Sequence, residues 1–510
     1  MDLSAIFAIT PQLIIACGIV FALLLIAWKR TQGIIANFSL LVIFIAFIAV
    51  CDGVGQEKVF VTTLLAVDDY SRFALMLILL ATSVSIYLSQ QVLAKEVEVH
   101  DEYYLLVLLV VLGASILVTS EHFASLFLGF ELLSIALVGL VGYFRQHQFA
   151  VETGFKYLIL SASASSFMLL GIAFIYAQTG DLSFSQSAVT TTSSGLVINE
   201  NTLLYQMGFI LFFSGIAFKL SLVPFHFWTP DVYQGSSTPV TLLLATVSKC
   251  AMFVVLLKCC FSAQHLLLIQ STRLFDVISW VAIFSMIVGN SLALKQQSIK
   301  RMLAFSSIAH MGYLLIVILI NSAQLSNKAI TTDMSVNMAW QSALFYLLAY
   351  MLASISIFSV LTFSDKSSSG EEQKIASWQG LFWRQPLYAV LVIFSVLSFA
   401  GIPLTAGFIG KFYLVTFAAN QELWSLLAAL IIGSGIALAY YLPIIFALFN
   451  DSLEQEKSAK AFSTSEFGNE PSSQTSNYRY FDTSLVTIFI ITGLMFGLFP
   501  DLIATFLQQL

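Results

Sequence analysis

The sequence predicts an all-α polytopic membrane protein. Of its 510 residues, 58% are hydrophobic and only 10% are charged, which is outside the range of soluble globular domains. Apolar runs long enough to cross ~30 Å of hydrocarbon as a helix, about 20 residues each, recur along the whole chain. Because lipid offers no hydrogen bonds to backbone groups, each of these runs is expected to be helical.

Fourteen such spans are predicted. They lie near residues 9–28, 33–51, 72–94, 103–120, 122–144, 155–178, 205–226, 237–260, 275–294, 299–320, 339–363, 385–417, 422–449 and 483–508. With the N-terminus outside, the loops of one side hold fourteen Lys and Arg residues and those of the other side hold four. The positive-inside rule then makes the first side cytoplasmic and places both termini outside, on the periplasmic side.

A weak internal repeat relates the two halves of the chain. The segment LSIALVGL (133–140) resembles SSIAHMGY (306–313), and FKYLILSASAS (155–165) resembles LFYLLAYMLAS (344–354). In each half the next span carries a helix break, at Pro224 and at Gly401 with Pro403. An offset of five helices inverts the second copy, as in many secondary transporters, although chance similarity between apolar helices remains an alternative.

The repeat predicts the organisation of the chain. The segments are a three-helix N-terminal part (1–102), a first repeat (103–260), a second, inverted repeat (275–449), a polar loop (450–482) and a C-terminal helix (483–510).

Four ionisable residues lie deep inside the predicted spans: Glu131, Lys219, Lys249 and Lys411. A charge at a helix centre costs ~2.5–3.5 kcal/mol on insertion scales, so each needs a partner or water. Glu131 and Lys219 share a depth in the first repeat, which predicts that they interact. A carboxylate that only joins two helices is the alternative for Glu131. Lys258, near the end of its span, is expected to extend towards the interface.

The helix breaks indicate why the lysines are tolerated. Pro224 has no N–H to donate, so a carbonyl and water are expected beside Lys219. Gly401 and Pro403 precede Lys411, for which extension to the interface is an alternative. His310 is central in its span and suits a proton shuttle, because imidazole titrates near ~6.5. A hydrogen-bonded core histidine is the alternative there.

The sequence contains no motif for a metal site, an iron–sulfur cluster, a dinucleotide site or a nucleic-acid-binding surface. The five cysteines form no CxxC or Cys/His spacing, which argues against a metal site or an iron–sulfur cluster. No Gly-rich turn follows a strand, so no dinucleotide site is predicted. Without a basic block, nucleic acid is not an expected partner.

Four sequence segments, considered in their order along the chain, resemble those of a known protein family. They are FKLSLVPFHFWTPDVYQGSSTPVT (218–241), SKCA (248–251), KRMLAFSSIAHMGY (300–313) and AGIPLTAGFIGKFY (400–413). With them, the chain resembles the antiporter-like membrane subunits of respiratory NADH:quinone oxidoreductase, complex I. The WTPDVY form and a lysine in span twelve resemble the subunit N (chain 2) type. Gln234 and Leu404 depart from the usual Glu and Pro of the family.

The resemblance implies an antiporter-like fold and a function. It assigns proton transfer to Glu131, Lys219, Lys249 and Lys411, in a translocase that couples electron transfer from NADH to quinone to proton pumping. It also implies that NADH, FMN, iron–sulfur clusters and ubiquinone or another quinone bind partner subunits and not this chain. The expected setting is a hetero-oligomer with other membrane-arm subunits in the bacterial inner membrane.

Three alternatives remain at this point. A subunit of a multisubunit cation/proton antiporter or membrane-bound hydrogenase would share the fold and the lysines. A solute symporter would need a polar substrate pocket at the helix breaks. A purely structural membrane anchor leaves the intramembrane charges unexplained.

Overall fold

The computed structural model describes residues 3–28, 31–94, 101–145, 149–184, 189–192, 195–198, 202–262, 273–320, 329–364, 374–450 and 475–501. Its helices are α1 (Leu3–Trp28), α2 (Gln32–Cys51), α3 (Asp69–Leu93), α4 (Glu102–Thr119), α5 (Phe123–Val141), α6 (Ala150–Thr179), α7 (Thr202–Leu220), α8 (Trp228–Gly235), α9 (Thr238–Ala245), α10 (Val247–Phe261), α11 (Leu274–Ala293), α12 (Ile299–Leu314), α13 (Ala329–Ser364), α14 (Leu381–Arg384), α15 (Pro386–Ala400), α16 (Ala406–Asn420), α17 (Trp424–Phe449) and α18 (Thr475–Leu498). The 3₁₀ turns Leu315–Ile318 and Ile375–Trp378 follow α12 and precede α14.

Strands occur only in short connections within the described residues. The strands β1 (Val59–Phe60) and β2 (Ala66–Val67) pair antiparallel between α2 and α3. The strands β3 (Val189–Thr192) and β4 (Gly195–Ile198) form a second antiparallel hairpin between α6 and α7. These hairpins leave the all-α membrane fold as the dominant architecture.

The predicted all-α membrane fold is confirmed. Within the described residues, twelve helical segments are long and apolar enough to cross a membrane. Predicted span twelve is divided into two shorter helices, α15 and α16. Predicted span fourteen overlaps α18, whose apolar part is short. The inverted repeat, its boundaries and the orientation of the termini stay predictions.

Two predicted spans differ from the sequence-based prediction. Span eight, which the sequence predicts to be continuous, is interrupted, and span seven ends before its predicted break at Pro224. Span eight divides into α9 and α10 at Thr246, which has φ of −110° and ψ of −72°. Span seven ends at Leu220 and is followed by turns and the short α8. The polar loop 450–482 falls largely, and residues 502–510 of the C-terminal helix wholly, outside the described residues.

The span formed by α9 and α10 occupies the centre of the helix bundle. Its most apolar window is entirely buried, and the windows of α12 and α13 are 94% buried. By contrast α1, α2, α6 and α17 expose many large apolar side chains, as expected for helices at the periphery of a membrane bundle. Lysines on the central helices are therefore removed from both lipid and bulk water.

Close contact between α6 and α7 depends on small residues. A Cβ placed on Gly171 of α6 would lie 2.3 Å from the backbone nitrogen of Phe212 on α7. Glycine at this position lets the two backbones approach, as in other membrane helix pairs. This contact brings Tyr157 of α6 and Lys219 of α7 onto neighbouring helices.

Candidate functional site

The first helix break lies directly after Lys219. Helix α7 ends at Leu220 because Ser221 takes a left-handed conformation with φ of +64°. The amides of Ser221 and Leu222 donate back into the last turn at 3.0 and 2.8 Å, which is the hydrogen-bond pair of a Schellman motif. The helix thus ends four residues before Pro224, so its end does not come from a proline ring inside the helix.

Lys219 is held by hydroxyl groups in a fully buried position. Its Nζ donates to Ser134 Oγ at 2.9 Å and to Tyr157 OH at 2.7 Å. It also lies 5.4 and 5.1 Å from the ring centroids of Phe130 and Tyr157, within cation–π range. The side chain is 0% exposed, so these groups replace the hydration shell of the ammonium.

Glu131 and Lys219, which the sequence predicts to interact, form no direct ion pair. Among the described residues, no ion pair within 4.0 Å joins them, and Ser134, three residues after Glu131 on the same helix, makes the direct contact. The two charges still interact electrostatically at longer range. Glu131 is half-buried, on a stretch of α5 where Leu128 and Ile135 are 58% and 66% exposed. Its face therefore points towards the periphery of the bundle.

Lys249 lies at the bundle centre, one turn after the interruption at Thr246. Its Nζ donates to Ser307 Oγ at 2.7 Å, and that hydroxyl donates in turn to the carbonyl of Ala304 at 2.7 Å. The ammonium also faces the ring of Tyr233 at 5.8 Å. With 0% exposure, Lys249 does not extend to an interface.

His310 lies between the residues that surround Lys249 and those that surround Lys411. It follows Ser307 by three residues on α12, and its Nδ1 forms a 2.5 Å hydrogen bond with Tyr346 OH. A cavity of about 10 Å³, lined by His310, Tyr346 and Lys411 among others, adjoins the imidazole. That is roughly the space of one water molecule.

The second helix break presents a backbone carbonyl to Lys411. Helix α15 ends at Ala400, and Gly401 adopts φ of +77°, again with the Schellman hydrogen bonds. The Nζ of Lys411 donates to the carbonyl of Ala400 at 2.9 Å and to Ser434 Oγ at 3.2 Å. Lys411 is 6% exposed, so the alternative of extension to the interface does not hold. Pro403 follows Gly401 in the connection to α16.

Lys258 reaches acidic residues at the ends of neighbouring spans. It is 8% exposed, and its Nζ lies 3.3 Å from Asp68, directly before α3, and 3.9 Å from Glu121, before α5. Lys58 pairs with the same Glu121 at 2.7 Å. Burial raises the pKa of Asp68, but the charge of Lys258 and hydrogen bonds from Ser71 outweigh it and lower that pKa overall.

Sequence reasoning missed the hydroxyl partners of the lysines, although the repeat contains a signal for them. The alignment of the two halves pairs Ser134 with Ser307 and Tyr157 with Tyr346. In the structure both serines accept from a buried lysine, and both tyrosines bind a titratable nitrogen. Hydroxyl residues recurring at matched positions of apolar helices thus mark the site.

We refer to Glu131, Lys219, Lys249, His310 and Lys411 together as the polar line; its last four members are buried and Glu131 is half-buried. The sequence of residues 120–437, which contains that line, matches the family described as "NADH:quinone oxidoreductase/Mrp antiporter, TM". The chain belongs to this family.

Solved structures share the fold over nearly the whole chain. A chain of respiratory complex I from Thermus thermophilus with bound aureothin is 29% identical, with a TM-score of 0.76 over 97% of this chain and 98% of that one. A chain of an archaeal membrane-bound sulfane sulfur reductase is 20% identical, with a TM-score of 0.74 over 100% and 97%. A chain of the Mrp complex from Dietzia sp. DQ12-45-1b is 19% identical, with a TM-score of 0.77 over 100% and 97%.

Proposed function

We propose that this chain is a proton-translocating membrane-arm subunit of an NADH:quinone oxidoreductase, of the subunit N type. The observation that carries the proposal is the burial of Lys219, Lys249 and Lys411 inside the helix bundle, each bound to a hydroxyl or carbonyl oxygen. A buried ammonium is costly to maintain, and unlike a guanidinium it can release its proton. Such residues in series suit stepwise proton transfer.

In this proposal Glu131, Lys219, Lys249 and Lys411 carry the protons and His310 shuttles between the last two. His310 is placed for that step because it follows Ser307, the partner of Lys249, by three residues and lines the same water-sized cavity as Lys411. A lysine line also favours H⁺ over a metal cation, since an ammonium repels cations and offers no ligand to them. The 29% identity to the Thermus complex I chain over 97% of this chain supports the choice of complex.

The redox reaction belongs to partner subunits in this proposal. NADH, FMN, iron–sulfur clusters and quinone bind there, and this chain contributes the membrane path as one member of a hetero-oligomer in the bacterial inner membrane. The alternative is a subunit of a multisubunit cation/proton antiporter or a membrane-bound hydrogenase. The likeness to the Mrp chain, with a TM-score of 0.77, keeps that alternative open at the level of fold.

Purification of the intact complex through a tag on this chain tests the proposal. Mass spectrometry is expected to find flavin- and cluster-binding partners, and reconstituted vesicles are expected to pump protons when NADH reduces quinone. Co-purification with antiporter subunits alone, and no NADH oxidation, would select the alternative.

A matched pair of variants then tests the site itself. Lys249→Ala in the assembled complex is expected to lower pumping by about a hundredfold, the lower part of the usual contribution of a proton-transfer group. Lys295→Ala, which removes an exposed lysine after α11, is expected to leave pumping unchanged. Equal pumping by both variants would contradict a role for the polar line.

A further inference from the structure

Several buried side-chain polar atoms around the first break have no hydrogen-bond partner within 3.5 Å in the described part of the chain. They are the hydroxyl oxygens of Ser221, Thr229, Tyr233, Ser237 and Ser248 and the Nδ1 of His226. Buried polar groups are almost always satisfied by protein or by ordered water, so a concentration of them in one segment indicates internal water. This segment runs from the end of α7 to the start of α10, between Lys219 and Lys249.

Tyr233 is the member of this group that lies between the two lysines. Helix α8, which carries it, packs against α6 on one side and α12 on the other. Helix α6 supplies Tyr157, the partner of Lys219, and α12 supplies Ser307, the partner of Lys249. The Tyr233 hydroxyl interacts electrostatically with Tyr350, Ser307 and Tyr157, and it makes no direct hydrogen bond within 3.5 Å to a described residue.

The position of α8 is fixed by charged side chains that do not belong to the polar line of Glu131, the three lysines and His310. Arg301 of α12 donates to Asp231 Oδ1 at 2.7 Å and to Gln234 Oε1 at 2.8 Å. Lys156 of α6 lies 3.7 Å from the other oxygen of Asp231. These contacts hold α8 between α6 and α12, so the unpartnered hydroxyl of Tyr233 has a set place between the two clusters.

We propose that Tyr233 is the relay residue that joins the Lys219 and Lys249 clusters, with its hydroxyl bridged by water to Tyr157 and to Ser307. A proton arriving from one side binds the phenol oxygen while the phenol proton leaves to the other side. The phenol is unchanged at the end, so one proton enters and one leaves and no oxidant is needed. This inference rests on the proposed function and names a residue that neither the sequence motifs nor the lysine contacts had assigned.

Tyr233→Phe tests the relay in the intact complex, because it removes the hydroxyl and keeps the ring that faces Lys249. Since the hydroxyl has no protein partner, assembly is expected to be normal. Protons pumped per NADH are expected to fall by about a hundredfold, the low end of the contribution of a proton-transfer group. Electron transfer to artificial acceptors is expected to stay unchanged, which a general loss of folding would not allow.

Tyr104→Phe is the matched control. Tyr104 is also a fully buried tyrosine, but it lies at the start of α4 and takes part in none of the lysine contacts described above. Its variant is expected to pump normally. Equal losses in both variants, or wild-type pumping by Tyr233→Phe, would overturn the relay.

Lys249→Ala measured alongside separates the two proposals. If Lys249→Ala stops pumping and Tyr233→Phe does not, the relay is wrong and the proposed function stands. If neither variant affects pumping, the proposed function itself fails. A density map of the complex that resolves waters elsewhere in the chain is expected to show one bound to Tyr233 OH, and its absence there would also contradict the relay.

Discussion

The ammonium of Lys219 donates a 2.7 Å hydrogen bond to the hydroxyl of Tyr157, and no carboxylate of the described residues pairs with it within 4.0 Å. Neutral hydroxyls stabilise an ammonium less than a carboxylate does. The site therefore leaves Lys219 able to lose its proton, whereas a close ion pair would hold it charged. Glu131 can act on this balance from a distance.

Lys219→Arg separates a titrating lysine from a structural cation. A guanidinium stays charged at any accessible pH, so the variant is expected to lower pumping by about a hundredfold or more. The measurement is proton translocation per NADH oxidised in vesicles that contain fully assembled complex. Lys156→Arg, on the half-exposed side chain that pairs with Glu152, is the control and is expected to pump normally. Normal pumping by Lys219→Arg would mean that protons take another path.

Glu131→Gln tests the long-range effect of the carboxylate. The change keeps the size of the side chain and removes its charge, so the hydroxyl contacts of Lys219 are expected to remain. Pumping and the coupled quinone reductase rate are both expected to fall by about tenfold, equivalent to ~1.4 kcal/mol on the barrier. Glu57→Gln, an exposed position in the connection between α2 and β1, serves as the control. Unchanged pumping by assembled Glu131→Gln would remove Glu131 from the path.

Gly401→Ala tests the second break. Gly401 has φ of +77°, which costs an alanine about 1 kcal/mol or more, and the added Cβ would meet the side chain of Lys411 at 2.6 Å. The variant is expected to displace Lys411 from the carbonyl of Ala400 and to reduce pumping with modest loss of thermal stability. Gly435→Ala, which has nothing within 4 Å of the added Cβ, is expected to behave as wild type. Equal pumping by the two variants would show that the conformation of Gly401 does not help to position Lys411.

Asp68→Asn tests the buried ion pair with Lys258. Asparagine can still cap α3, as Asp68 does by accepting from the amide of Ser71, so the change removes mainly the charge. Because Lys258 keeps the more distant Glu121, the loss near neutral pH is expected to stay below the ~3–5 kcal/mol of a fully broken buried pair, and it is measured as a lower unfolding temperature of the purified complex. The exposed Asp276 gives the control variant Asp276→Asn, for which little change is expected.

The same pair has a defined pH dependence. Because the pKa of Asp68 is lowered in the folded protein, its contribution is complete above the unfolded value of about 3.9 and is lost as the pH falls through the lower folded pKa. The difference in unfolding temperature between wild type and Asp68→Asn is therefore expected to shrink only in strong acid. A constant difference down to that range would show that the charge of Asp68 is not its source.

Accessibility labelling tests the predicted orientation. In a chain whose exposed Cys17 and Cys51 are replaced by serine, a cysteine in the 450–479 segment is expected to react only from the cytoplasmic side. A cysteine at the C-terminus is expected to react only from the outside. Labelling of both from the same side would contradict the span count.

Much of the site was predictable because intramembrane charges are rare. Glu131, Lys219, Lys249 and Lys411 stand out in apolar runs, and the order of the surrounding segments indicated the family. The partners of these residues were not predictable, since Ser134, Tyr157 and Ser307 are common residue types on distant helices. For the same reason the predicted interaction of Glu131 with Lys219 is present only at longer range, because equal depth does not establish which faces of two helices meet.

The sequence by itself determined that this chain is a bundle of membrane helices with two breaks and a few buried charges, because hydropathy and span length are properties of each segment alone. Only the tertiary structure decided which oxygen each lysine binds, that Lys258 pairs with Asp68 and Glu121, and that α8 places Tyr233 between two clusters. Those relationships depend on how helices far apart in the chain rotate and pack, and the packing follows from the shapes of many side chains together.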